Sequence, residues 1–211
     1  MDGVLVDSMP YHAEAWKKAF MDVGLKIQTE DIYAIEGSNP KNGLSVLIRE
    51  AKKDPNDFDF EEITELYRQE FKRNFRLKAF EGMKDGLETL KERFLLSVVS
   101  GSDYLIVHGI LDELFPNLFD IVVTGDDVLH GKPSPEPYLE AIKLLKVKKE
   151  ECTVIENAIL GVEAAKRAGL YCIGIPTYLE CKDLDHADLV VENHEKLLKY
   201  LLNLEYCPIK R

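Results

Sequence analysis

The segment Phe94-Leu95-Leu96-Ser97-Val98-Val99-Ser100-Gly101-Ser102 decides how the chain folds. Its first six residues are almost continuously apolar, a pattern typical of a parallel strand that is buried on both faces. The small polar residues that follow end the strand and place a glycine-containing turn at its carboxyl end. Ligands of open α/β sheets bind at the carboxyl ends of strands, so this turn is also a candidate binding loop.

The same alternation of strand and helix continues to the end of the chain. We expect helices over about 86–93, 104–113, 135–145, 160–168 and 194–203, and strands over about 94–99, 120–123, 153–155, 171–175 and 188–191. Strands that alternate with helices are typical of parallel sheets, because a parallel connection must cross over the face of the sheet. The sequence therefore predicts the α/β class, with a doubly wound parallel sheet.

Four consecutive helices without an intervening strand precede this region. They are expected over about 9–23, 29–36, 40–52 and 60–77, and the hydroxyl group of Ser8 is expected to cap the first one. Because the first residues are too few to fold alone, we interpret the helices as an insertion into the α/β domain. The expected domains are a core of residues 1–8 and 81–211 and a helical cap of residues 9–80, which would act as a lid.

The composition is that of a globular protein, with 45% hydrophobic and 31% charged residues among 211. The net charge of −11 argues against nucleic acid or an anionic membrane surface as a partner, since both repel an acidic protein. No apolar run reaches the roughly 18 residues of a membrane span, and the first residues lack a signal-peptide pattern. We therefore expect a cytoplasmic location and, because nothing indicates an obligate assembly, a monomer.

Four loops carry polar side chains that suit phosphate or metal chemistry: Asp2-Gly3, Ser100-Gly101, Gly131-Lys132-Pro133 and Glu156-Asn157. Asp2 suits a general acid or base, and Ser100 suits an anion cradle at a helix start. Lys132 is fixed by its glycine and proline neighbours, as a cation beside a phosphoryl group should be. The oxygen atoms of Glu156 and Asn157 suit Mg²⁺. Each loop also has a purely structural alternative. Asp2-Gly3 would be an ordinary turn, Ser100 would cap the following helix, and Lys132 and Glu156-Asn157 would be solvated.

In this order the four loops resemble the motifs of the haloacid dehalogenase superfamily, specifically of its β-phosphoglucomutase and phosphoglycolate phosphatase-like branch. The resemblance covers essentially the whole chain. It implies a Rossmann-like α/β core with an inserted helical cap, and an Mg²⁺-dependent phosphoryl-transfer enzyme that acts on a small phosphorylated metabolite. In that family a phospho-aspartate forms on the first aspartate of an Asp-x-Asp-Gly motif.

The resemblance also implies roles for individual residues. Asp2 corresponds to the general acid and base, whose backbone carbonyl also meets Mg²⁺. Ser100 and Lys132 correspond to catalytic residues that hold the phosphate. Glu156 and Asn157 correspond to the pair that completes the metal site. The other residues implied in phosphate or substrate binding are Gly3, Gly101 and His12.

Two positions depart from the family pattern. Asp2-Gly3 matches only the second half of Asp-x-Asp-Gly, so the nucleophilic aspartate would come directly before Met1, on the central strand of the sheet. A sheet without that strand would leave backbone groups unpaired, and we therefore expect the natural chain to begin upstream of Met1. At Asn157 the family usually has aspartate, and one fewer negative charge should weaken Mg²⁺ binding.

Three functions stay open on the sequence alone. The first is a phosphatase, and the second is a β-phosphoglucomutase-like mutase, which needs a cap cation such as Lys41 to hold the phosphate that is not transferred. The third is a protein that binds phosphate through Ser100 and Lys132 without turnover. A hydrolytic dehalogenase is disfavoured, because its chemistry needs no acid at the position of Asp2.

The expectation about the start of the chain can be checked by intact-mass measurement of the natively expressed protein. We expect a mass above that of the 211-residue chain, with an aspartate directly before Met1. A native start at Met1 would rule out the phospho-aspartate mechanism for this chain and would favour the binding protein.

Overall fold

The structure, a computed structural model, describes residues 1–76 and 78–204. Its first part is helical and contains α1 (Met9–Asp22), α2 (Thr29–Ala34), α3 (Pro40–Glu50) and α4 (Phe60–Asn74). We refer to residues 9–74 as the helical block. The block follows the apolar pattern of its sequence, because the apolar residues at helical spacing on α1 and α4 are buried.

The second part alternates between helices and strands, as the sequence predicts. Its elements are α5 (Met83–Lys91), β1 (Ser97–Val99), α6 (Tyr104–Leu114), β2 (Ile121–Val123), α7 (Glu136–Leu145), β3 (Thr153–Glu156), α8 (Ile159–Ala168), β4 (Tyr171–Gly174), β5 (Leu189–Val190) and α9 (His194–Leu202). Three 3-10 turns that the sequence analysis did not predict lie at Pro55–Asp57, Lys149–Glu151 and Cys181–Leu184.

Every strand pair between the named strands is parallel in the described part of the chain. β1 pairs with β2 so that Val99 is opposite Val123. β4 lies between β3 and β5, with Gly174 opposite both Glu156 and Val190. The predicted α/β class with parallel strands is therefore confirmed. The strands form a two-stranded and a three-stranded sheet, and a single apolar cluster includes Val98 of β1 as well as Ile173 of β4.

The helical block is built on the packing of α1 against α4. Trp16 stacks on Tyr67 with ring centroids 3.8 Å apart and nearly parallel planes, and Phe20 is fully buried beside Ile63. The segments that leave for the block and return from it lie side by side. Asp7 N donates to Lys78 O at 3.2 Å, and Phe80 N donates to Leu5 O at 3.0 Å. The chain thus enters and leaves the block at adjacent positions.

Three expectations about the elements need correction. The strand expected over 94–99 begins only at Ser97, because Leu95 is exposed and Leu96 N donates to the side chain of Asp120 rather than to a strand. Helix α4 ends at Asn74, because Phe75 is already extended, and Leu77 lies outside the described residues. Ser8 precedes α1 but its hydroxyl does not cap the helix. It donates to Asp2 instead.

None of the helices in the described ranges is both long and apolar enough to cross a membrane.

The core of the helical block makes a stability prediction. Replacing the fully buried Phe20 with Ala should lower the free energy of unfolding by about 3–5 kcal/mol, because the change removes apolar contacts and leaves a cavity. The neighbouring Met21 is 62% exposed, so Met21→Ala is a matched control that should change the free energy of unfolding by about 0.5 kcal/mol or less. Denaturant titration of both variants measures the difference, and equal effects would contradict the packing described above.

Candidate active site

A pocket lies between the helical block and the loops that follow the strands. The core side contributes all four loops singled out in the sequence, through Asp2, Ser100, Gly101, Lys132, Glu156 and Asn157. The helical block contributes an apolar wall and a short polar segment, through Trp16, Ile35, Glu36, Asn39, Leu44 and Tyr67. Residues far apart in sequence therefore converge as the parallel topology requires.

Asp2 is the centre of a hydrogen-bond network in this pocket. Its Oδ1 accepts from Ser8 Oγ at 2.5 Å and lies 3.0 Å from His12 Nε2. Its Oδ2 lies 3.4 Å from the hydroxyl groups of both Ser100 and Ser102. Both oxygen atoms of the carboxylate are thus held from several sides, so its orientation is fixed.

His12 connects Asp2 to α4. Because a carboxylate can only accept, His12 Nε2 must carry the hydrogen of this contact. The other ring nitrogen, Nδ1, lies 2.7 Å from the Tyr67 hydroxyl. Burial raises the pKa of Tyr67 well above its ordinary value, so this hydroxyl keeps its proton at neutral pH. A chain of hydrogen bonds therefore runs from Tyr67 through His12 to Asp2.

These partners determine the protonation state of Asp2. Burial by itself raises the pKa of Asp2, but the field and hydrogen bond of His12 and the hydrogen bond of the Ser8 hydroxyl outweigh it. The resulting pKa lies below the usual range for aspartate. Asp2 is thus a carboxylate at neutral pH, the state that can take a proton from a water molecule.

Gly3 holds the Asp2 loop against the fourth loop. Its φ of +66° is a conformation that residues other than glycine rarely adopt, and a Cβ here would lie 2.1 Å from Asn157 Nδ2. The carbonyl of Gly3 accepts from Thr177 Oγ1 at 2.6 Å and lies 3.2 Å from His194 Nε2. Glycine is therefore required both by the turn and by the close approach to Asn157.

Lys132 is buried and forms an ion pair with Glu156. Its Nζ also donates to Val99 O at 3.2 Å and lies 5.2 Å from the centre of the Tyr138 ring. Glu156 accepts a second hydrogen bond, of 2.5 Å, from the Tyr138 hydroxyl. Burial alone raises the pKa of Glu156, but Lys132 and Tyr138 lower it below the ordinary value, so the carboxyl group is ionised. The pair places a fixed ammonium group in the pocket.

Asn157 meets a side chain of the helical block. Its Nδ2 donates to Glu36 Oε1 at 2.6 Å, which links the fourth core loop to the segment between α2 and α3. Burial raises the pKa of Glu36 to about 8, and the neighbouring carboxylates of Glu156 and Asp2 add to this effect. The pocket around Glu36 therefore disfavours additional negative charge.

The donor atoms of the pocket fit a hard cation. Asp2, Glu156 and Asn157 supply oxygen atoms, and Gly3 brings the Asp2 backbone close to Asn157. No cluster of three or more His, Cys, Asp or Glu side chains in the described ranges is arranged to bind a metal by itself. Such a donor set suits Mg²⁺, which keeps several waters and usually takes one or two carboxylates together with substrate phosphate oxygens.

Of the predicted site residues, eight lie in or directly beside the pocket: Asp2, Gly3, His12, Ser100, Gly101, Lys132, Glu156 and Asn157. His12 contacts Asp2 and Tyr67 and is almost fully buried, so it supports Asp2 rather than facing a ligand freely. Lys41 is exposed at the start of α3 and does not line the pocket. Its assignment as a phosphate-binding residue stays a prediction.

Sequence reasoning missed several residues of the network. Ser8 was assigned to a helix cap, and Tyr67 and Tyr138 carry no local motif that separates them from core aromatic residues. Glu36 had a weak signal, because an acidic residue directly before Gly37 interrupts an otherwise apolar segment. Ser102 follows the predicted anion-binding turn and was the easiest of these residues to find.

Comparisons with known proteins agree with this geometry. The family model of haloacid dehalogenase-like hydrolases matches residues 1–175. A Thermotoga maritima protein named phosphorylated carbohydrates phosphatase is 35% identical over 176 residues, which cover 81% of this chain and 79% of the relative. The chain therefore belongs to the haloacid dehalogenase-like hydrolase family.

Two solved structures show the same fold. A hydrolase from Pseudomonas syringae is 29% identical, with a TM-score of 0.86 and coverage of 95% of this chain and 94% of the other. The β-phosphoglucomutase from Clostridium difficile is 25% identical, with a TM-score of 0.82 and coverage of 96% and 94%. Both a hydrolase and a mutase thus lie among the structural neighbours.

The Asp2 network makes a prediction about pH dependence. His12 lowers the pKa of Asp2, so His12→Gln should raise that pKa. When the solution is acidified, a step that needs ionised Asp2 should then begin to lose rate at a higher pH than in the unaltered protein. We expect the acid limb of the pH profile of kcat/KM to move up by about one unit or more. His186→Gln is the control, because His186 is exposed and far along the chain. An unchanged acid limb would show that His12 does not set the charge of Asp2.

Proposed function

We propose that the protein is an Mg²⁺-dependent phosphatase that hydrolyses phosphate esters of small metabolites. The observation that carries the proposal is the convergence of Asp2, Ser100 and Lys132 on one pocket that also contains oxygen donors for a cation. The names of relatives support the same chemistry, since the Thermotoga maritima relative is named a phosphatase of phosphorylated carbohydrates.

We also propose that residues 9–80 form a cap and that residues 1–8 and 81–211 form the core. The adjacent connections at Leu5, Asp7, Lys78 and Phe80 support this division, because the chain enters and leaves the helical block there. The cap would exclude water from the pocket while the phosphate ester is bound.

In this mechanism the phosphate binds between Ser100 and Lys132. The Ser100 hydroxyl donates to a phosphoryl oxygen, and the buried ammonium group of Lys132 stabilises the charge that develops during transfer. The Glu156 carboxylate and the Tyr138 ring hold Lys132 in place. When bound, Mg²⁺ supplies a second positive charge next to the phosphate. Asp2 and Asn157 would hold the cation directly, and Glu156 would hold it through a water molecule.

Asp2 acts as the general acid and base. In the pocket without phosphate it is ionised, so it can take a proton from the attacking water. A bound phosphate dianion nearby would raise its pKa and allow it to protonate the leaving group first. The phosphoryl acceptor would be an aspartate directly before Met1, as the resemblance implies, and Met1 itself lines the pocket beside Asp2.

The mutase is the second candidate, because the Clostridium difficile β-phosphoglucomutase has the same fold. A mutase must bind a second phosphate, which needs a cation on the cap side. Lys41 does not line the pocket, and Lys132 is paired with Glu156. The distribution of charge therefore favours the phosphatase.

Phosphate release from p-nitrophenyl phosphate, with Mg²⁺ and after its removal by EDTA, tests the proposal. We expect release that depends on Mg²⁺ and that falls by about 100-fold in kcat/KM in Ser100→Ala, since one stabilising donor is lost. Ser45→Ala removes a hydroxyl group from α3 that contacts only the backbone of its own helix, and it should leave the rate unchanged.

Absence of Mg²⁺-dependent release would contradict the proposal. Binding of inorganic phosphate, measured by calorimetry, then identifies the remaining alternative. Phosphate binding that is lost in Ser100→Ala, without turnover of any ester, would show a phosphate-binding protein that keeps the fold of the family.

A further inference from the structure

The segment between α2 and α3, residues 36–40, lies directly on the core. A Cβ at Gly101 would come within 2.4 Å of the Gly37 carbonyl oxygen, and a Cβ at Gly131 within 2.5 Å of Asn39 N. These contacts are between backbone atoms, so they leave no room for side chains. The two core glycines therefore allow residues 36–40 to pack directly on the core backbone, and this packing fixes the position of the segment.

This close packing brings Glu36 into the pocket. The Glu36 carboxyl group accepts from Asn157 Nδ2 at 2.6 Å, and the next residue, Gly37, packs against the Lys132 side chain. Glu36 is therefore the acidic group that the helical block contributes to the pocket beside the proposed phosphate site. The rest of a phosphate ester held by Ser100 and Lys132 would lie in the pocket that this segment also lines.

The charges around Glu36 are unbalanced. Asp2 and Glu156 are the nearest charged carboxylates, and the ammonium group of Lys132 is already paired with Glu156. Among the described residues that line the pocket, Lys132 is the only lysine or arginine. The remaining wall on the side of the helical block includes apolar side chains such as Trp16, Ile35 and Leu44.

From this arrangement we propose that Glu36 determines specificity, and that the substrates are phosphate monoesters whose other end carries no negative charge. The inference rests on the phosphatase function and names its substrate class. A hydroxyl or amino group can donate to the carboxyl group of Glu36. A carboxylate or a second phosphate would be buried beside acidic groups without a cation to pair with it, which is strongly unfavourable. Bisphosphates are excluded for the same reason.

Three aryl phosphates with the same scissile bond test this proposal: phenyl phosphate, 4-carboxyphenyl phosphate and 4-(aminomethyl)phenyl phosphate. In the unaltered protein we expect kcat/KM for the carboxylate compound to be at least about tenfold below that for phenyl phosphate. The amino compound should match or exceed phenyl phosphate. Equal rates for the three compounds would overturn the proposal without any variant.

Substitutions then assign the effect to Glu36. Glu36→Lys should raise the rate with the carboxylate compound relative to phenyl phosphate by about tenfold or more, because it supplies the cation that the pocket lacks. Glu36→Gln should shift the ratio in the same direction by a smaller factor. Glu50→Lys is the control, because it makes the same substitution at an exposed position at the end of α3 and should leave the ratio unchanged.

Binding separates this inference from the proposed function. The sequence contains one tryptophan, and Trp16 lines the pocket, so its fluorescence reports binding of each compound without turnover. If no ester is hydrolysed, the phosphatase function fails, but weaker binding of the carboxylate compound would still support the role of Glu36. If esters are hydrolysed and Glu36→Lys changes selectivity no more than Glu50→Lys does, the role of Glu36 is wrong.

Discussion

The buried ion pair between Lys132 and Glu156 is the interaction on which the arrangement of this protein depends. In the part of the chain that the structure describes, no strand pairing joins the two parallel sheets. Lys132 spans them, because its ammonium group donates to Val99 O at the end of β1 and pairs with Glu156 at the end of β3. Loss of either partner would leave a charge buried without compensation, at a cost of about 3–5 kcal/mol.

The same pair couples the core to the helical block. The aliphatic part of the Lys132 side chain lies close to Gly37. Asn157, which directly follows Glu156 in the sequence, donates a hydrogen bond to Glu36. On the opposite side of the pocket, Tyr67 and His12 reach Asp2. The helical block thus supplies polar groups at two separate places, so its position affects both the surroundings of Asp2 and those of the proposed phosphate site.

The sequence predicted the α/β class, the order of the elements and the four loops that meet at one pocket, because each of these follows from a local pattern: an apolar run, helical spacing, or a polar residue directly after a strand. It could not predict contacts that depend on how the helical block sits on the core. Ser8 shows the limit. Its position before α1 indicates a cap, yet its backbone is close to the helical conformation instead of the extended one that a cap usually has, and its hydroxyl donates to Asp2.

Charge balance connects the proposed cofactor with the proposed substrates. Asp2 and Glu156 are ionised, Glu36 adds a third carboxyl group, and Lys132 balances only Glu156. A phosphate dianion that entered this pocket alone would be repelled by the Asp2 carboxylate, because Lys132 does not supply enough positive charge for both. A divalent cation that binds together with the dianion would neutralise its charge. The acidic pocket therefore favours binding of metal and phosphate as a pair. It leaves no positive charge for a second anion, so the need for a cation and the preference for singly phosphorylated substrates have one electrostatic cause.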